Sequence, residues 1–240
     1  MKLSHIAAGL LVLAIPGKAL AGPPILCNPI DIAKANSIPI GSGSMEPASG
    51  CSGSTAVDEA LAILKGDASP LVRMETIRRA TVYVMRDQSQ AKNLLTRVMA
   101  LELDAAASGN DSNAATALFD AGFLAACLGE VGVELGWKPG AADGLQGYGW
   151  IKAALDKLPK DSSQRAEMEF GAALAAHPMD HREAGARAIY DAHLQRAAKG
   201  AKEGSLLADN IKAHHAKWDQ YLKKDEGSEK DVRPEKATKK

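Results

Sequence analysis

The chain has 240 residues with 29 basic and 29 acidic side chains, a formal charge of zero, and only 4% aromatic residues. That balance gives no electrostatic reason to seek nucleic acid or an anionic membrane surface. The length allows a sizeable buried core, in one domain or two small ones.

Residues 1–21 have the features of an export leader. Lys2 supplies a positive start, Ile6–Ile15 is apolar, and Ala19-Leu20-Ala21 offers a small-x-small cleavage pattern. Cleavage is expected before Gly22, leaving the mature chain in the periplasm or fully secreted. The apolar run is about half the roughly 20 residues that a bilayer-crossing helix needs, and no membrane span is expected further on. Cys27 follows Pro24-Ile25-Leu26, not the small residues of a lipoprotein signal. Loss of Lys2 and Lys18 leaves 27 basic against 29 acidic side chains, still close to neutral.

Residues 22–54 read as an irregular arm. Pro23, Pro24, Pro29, Pro39 and Pro47 interrupt helix, and Gly41-Ser42-Gly43-Ser44 favours flexible backbone. Ile25, Leu26, Ile30, Ile32 and Ile38 are the residues expected to pin it to a body. Cys27 and Cys51 fall in this arm, where an oxidising compartment favours a bridge. Closing that loop would stabilise by roughly 3 kcal/mol in the chain-entropy model, although spacing alone leaves pairing with Cys127 open.

Residues 55–224 read as a helical domain. Ser69-Pro70 is a helix start, with a serine cap and a proline where its missing N–H costs nothing. From there to about Arg86 the spacing points Leu71, Met74, Ile77, Val84 and Met85 inward and puts Glu75, Arg79 and Arg86 on a narrow charged stripe. A second helix is expected over 89–107. A third, over 111–130, is apolar nearly all round and is placed at the centre of the fold, with Asn113, Thr116, Asp120 and Cys127 as its polar stripe. Asp120 is expected to pair with Arg73, Arg79 or Arg97. Cys127 beside an acid is expected to be an inert buried thiol.

Residues 129–149 form a glycine-rich connector. Helices then resume over 148–158, from Asp161 (with Gln164 as a capping box) to 176, over 180–201 and over 205–223. Residues 225–240 are charged, low in apolar content and expected to be a disordered tail. No stretch alternates as a strand would. The fold class is therefore all-α: antiparallel helix hairpins stacked as a short α-solenoid-like or bundle body, with an irregular N-terminal arm.

The stretch Asp67-Ala68-Ser69-Pro70-Leu71-Val72-Arg73, followed by Ala80, resembles the turn and first half of a HEAT-type repeat. The later hairpins are similar to tetratricopeptide-type pairs, over residues 58–176. The opening Gly22-Pro23-Pro24-Ile25-Leu26-Cys27 resembles that of uncharacterised bacterial exported proteins. The repeat resemblance implies a body presenting a groove to a protein or peptide partner in the envelope.

Chemistry-bearing motifs are sparse. His177 and His181, four apart with Asp180 and Glu183 beside them, have a spacing that two zinc ligands on one helix can use, but Pro178 disfavours helix at the first of them. They are the candidate metal ligands of an alternative reading as a metal-binding protein or metal-dependent hydrolase. His215 shares an inward stripe with Leu207, Ile211, Trp218 and Leu222. No phosphate loop, nucleophile elbow, haem motif or dinucleotide fingerprint is present, so no catalytic residue and no cofactor is expected.

Overall fold

The computed structural model of the chain describes residues 24–43, 45–134, 144–176 and 185–229. Among them the regular structure is helical: α1 (Pro24–Cys27), α2 (Gly53–Leu64), α3 (Pro70–Val84), α4 (Gln88–Ala107), α5 (Asp111–Glu134), α6 (Gly144–Lys157), α7 (Arg165–Ala176), α8 (Ala186–Gly200) and α9 (Leu206–Glu229). An isolated bridge between Ile40 and Pro47 is the one β-type pairing among the described residues. The fold is all-α. The leader, residues 1–21, lies outside the described residues.

Local chemistry sets the boundaries. Ser52 Oγ accepts the Thr55 N–H at 3.1 Å and opens α2; Asp87 accepts from Ser89 and Gln90 and opens α4; Asn110 accepts from Asn113 and opens α5. Ser52 and Asn110 each remove one orphan donor from a helix start, and Asp87 removes two. Gly109, at φ 71°, makes the left-handed turn that separates α4 from α5. The expected Asp161–Gln164 capping box is not formed. Ser162 Oγ accepts the Gln164 N–H, and the Gln164 side chain turns to Thr116 on α5 instead.

α5 is the axis of the body. Phe119, Phe123, Leu124, Ala125 and Ala126 are fully buried in it, and it packs against α3, α4, α6 and α7. Its segment Asp111–Gly132 is long and apolar enough, by length and composition, to cross a membrane, and in the fold most of it is buried by neighbouring helices. The closest crossing is with α6. A Cβ on Gly147 would lie 2.6 Å from both the Ala126 nitrogen and the Gly122 carbonyl oxygen, so only glycine lets these two backbones meet.

Several boundaries differ from the sequence reading: a helical turn, α1, forms inside the arm, α5 runs on to Glu134, and α7 starts at Arg165 and not at Asp161. α6 starts at Gly144, inside the expected connector. α9 continues through residues 225–229, where Lys223, Lys224 and Glu226 are adequate helix formers, so the expected tail is helical as far as Glu229.

Candidate functional site

α3 is the most polar buried helix. Arg73, Glu75, Thr76, Arg78 and Thr81 are all buried on it; of the charged stripe Glu75, Arg79 and Arg86, the first is buried, the second partly buried and the third exposed. Most of that polarity is used on the arm. Glu75 accepts the Ile30 N–H at 3.0 Å, and its two oxygens also take Arg78 and Arg79. Arg78 donates to the Leu26 carbonyl at 2.7 Å and Arg79 to the Ile38 carbonyl at 2.8 Å. Tyr83 Oη donates to the Pro39 carbonyl and accepts from the Ala48 N–H.

Other helices complete the seat. Glu130 of α5 accepts the N–H groups of Ile25 and Leu26. Asn210 of α9 grips Asp31 twice, accepting its N–H and donating to its carbonyl, each at 2.8 Å. Ile25, Leu26, Ile30, Ile32 and Ile38 fill the space beneath and are buried, as expected. The arm is one helical turn, α1, followed by irregular backbone with few internal hydrogen bonds, so most of its buried backbone groups need outside partners. Here side chains of three helices supply them.

Beside the seat, Arg73 joins three helices. It donates to both oxygens of Asp120, at 3.0 and 3.1 Å from Nε and 2.5 Å from Nη2, and to the carbonyls of Leu64 and Gly66 at the end of α2. Burial pushes the Asp120 carboxyl above its ordinary value, and the guanidinium pulls it back. With several charge-assisted bonds at one carboxylate, the pair is ionised at neutral pH. Arg73 was one of the three partners expected for Asp120. Cys127 is fully buried, and burial, with the Glu130 charge, pushes its thiol well above the ordinary value. It is inert as a nucleophile.

A second polar cluster joins α6, α7 and α8. Tyr148 Oη lies 2.8 Å from His193 Nε2, and His193 Nδ1 lies 2.6 Å from Glu169 Oε2. Arg196 Nε donates to the same Glu169 oxygen at 2.8 Å. Burial raises the Glu169 carboxyl, but the bonds from His193 and Arg196 outweigh it and hold the group below its ordinary value. An ionised Glu169 takes the proton of His193 Nδ1, which leaves Nε2 as acceptor for the Tyr148 hydroxyl. The Arg196 Nη2 contact with Nδ1 at 2.6 Å is then a close approach, not a bond. Burial pushes the Tyr148 phenol up, so it stays protonated at neutral pH. The order hydroxyl, imidazole, carboxylate is that of an oriented general base.

The sequence reading missed this cluster. A carboxylate at Glu169 inside the apolar run Met168–Ala176 was the available signal, together with His193 in phase with Tyr190, Leu194 and Ala197. His177 and His181, the expected metal ligands, lie outside the described residues. Among the described residues no group of three histidine, cysteine, aspartate or glutamate side chains is placed to hold a metal ion. Cys27 and Cys51, the two cysteines expected to form a bridge, are both partly buried in the arm, and Cys51 Sγ lies 3.8 Å from the Ser52 carbonyl oxygen. In α9 His214 is buried, and His215 beside it is partly buried.

Compared with protein-family models, curated proteins and solved structures, the chain has no match.

Proposed function

We propose that this chain is an exported helical scaffold that binds a protein or peptide partner in the bacterial envelope. The observation that supports it is the arm seat. The body holds the arm, a helical turn and the irregular chain after it, by its backbone groups, through Glu75, Arg78, Arg79, Glu130 and Asn210, while apolar side chains fill pockets beneath. Peptide-recognising scaffolds use this division of labour, with main-chain bonds for affinity and side-chain pockets for selectivity. Affinity capture of the tagged mature chain from envelope extract, with excess untagged chain as competitor, tests the reading. A single partner, displaced by the competitor, is expected. Recovery of nothing that the competitor displaces rejects it.

The Tyr148–His193–Glu169 geometry favours one other reading, a hydrolase without the expected metal pair. Turnover of p-nitrophenyl acetate above the buffer rate, lost in Tyr148→Phe, would replace the scaffold reading by that one. The metal alternative through His177 and His181 has its own test. Stoichiometric zinc in the purified protein, lost in His181→Ala, would establish it.

A further inference from the structure

We propose that α9 is an acid-released latch over the N-terminal arm, with His214 as the group that opens it. His214 is 6% exposed and stands edge-on to the Phe170 ring of α7, centroids 5.3 Å apart. Its ring bonds to the backbone of Pro29 on the arm. Proline has no N–H, so the ring donates to the carbonyl. Nε2 is buried with no hydrogen-bond partner, so the donor is Nδ1. The closed latch therefore holds a neutral imidazole with a bare, sealed Nε2.

A proton arriving at Nε2 creates a buried N–H with no acceptor and a charge with no counter-ion. The charged groups that act on the ring are Lys217 on its own helix and Glu75 and Arg78 on α3; Phe170 on α7 and the Pro29 carbonyl carry no charge. Glu75 is already saturated by Ile30, Arg78 and Arg79, and the two cations oppose protonation. The closed state accordingly resists the proton, and any state that exposes the ring accepts it at the ordinary value.

The element that gives way is α9. Over residues 206–217 of α9, Leu207, Asn210 and His214 are buried, Leu206 and Ile211 pack partly buried against the core, and both buried polar side chains act on the arm. α5, by contrast, is buried along most of its length. The segment 206–217, held by fewer buried apolar side chains than α5, opens before the core does. Opening frees the backbone of Pro29 and Asp31, while Glu75 retains Ile30 between them.

The ring titrates at about 4 when closed and at the ordinary 6.5 when released. Linkage then raises the opening equilibrium of α9 roughly 50-fold between about pH 7 and about pH 4.5. Amide hydrogen exchange of the mature protein at those two pH values, corrected for intrinsic rates, reads this directly. Amides of residues 206–217 are expected to lose that protection while those of α5 keep theirs. His214→Phe removes the titrating group and is expected to hold its neutral-pH protection in acid; His214→Gln serves the same purpose if the phenylalanine does not fit. Unchanged protection of α9 in the wild type on acidification overturns the proposal. So does simultaneous loss in α9 and α5, or a non-titrating variant that opens as the wild type does.

Discussion

Asp120 and His214 illustrate two ways in which this protein buries a titratable group. Asp120 is surrounded by donors from one arginine, and that arginine also closes α2 through Leu64 and Gly66. Removing either partner leaves an uncompensated buried charge, which costs about 3–5 kcal/mol. Asp120→Ala is expected to destabilise by that amount in urea unfolding, and Asp120→Ala with Arg73→Met by clearly less, because the orphaned cation is gone. The acid was legible in the sequence as a polar position on an apolar helix, with Arg73 among three possible partners. The tightness of the pair was not, since spacing does not say which helices touch. His214 shows the limit from another side. Helical phase puts His215 on the inward stripe, and it is partly buried; His214, one residue away and about 100° round, is buried against the arm, which phase does not register.

The elements were easier to read than their partners. Caps at Ser52, Asp87 and Asn110, the proline at position 70 and the glycine at 109 mark helix ends by chemistry that acts within four residues. The charged stripe of α3 is divided in the structure, with Glu75 buried, Arg79 partly buried and Arg86 exposed. Glu75 and Arg79 are polar enough for solvent, but the arm carries unpaired backbone groups that need charged partners. An amphipathic pattern cannot distinguish water from such a backbone. The α5–α6 crossing follows from two glycines, Gly122 inside the apolar helix and Gly147 in a glycine-rich stretch, neither of which stands out by position. Gly147→Ala is expected to force these helices apart and to destabilise by about 1–3 kcal/mol despite alanine's better helix propensity. Gly149→Ala, whose added Cβ meets nothing, is expected to be neutral or slightly stabilising. Paired thermal melts of the two variants check the contrast.

For the whole molecule, acid is the expected weakness. The folded pKa of His214 is depressed from 6.5 to about 4, so its contribution is complete above 6.5 and is lost as pH falls towards 4. The loss is on the order of 3 kcal/mol. Glu169, held below its ordinary 4.5, loses its contribution at still lower pH, in the same direction. Unfolding free energy is expected to be flat from neutral pH down to about 6.5 and then to fall. His214→Phe is expected to flatten the upper part of that fall, and chemical denaturation across the pH range measures it.

Fold class, helix order and the apolar anchors of the arm were available from composition and period alone. The side chains that bind the arm's backbone, and the Tyr148–His193–Glu169 cluster, join residues from 24 positions apart, as Glu169 and His193, to 179 apart, as Asp31 and Asn210, beyond the reach of any local pattern. The central claim is that the arm belongs to the folded body, with its backbone bound by α3, α5 and α9. Residue-resolved amide exchange at neutral pH tests it most directly. The amides of Ile25 and Ile30, sealed by Glu130 and Glu75, are expected to be protected to within about tenfold of those in α5. Exchange of these two amides at the rate of an unstructured peptide, with α5 still protected, would contradict the account.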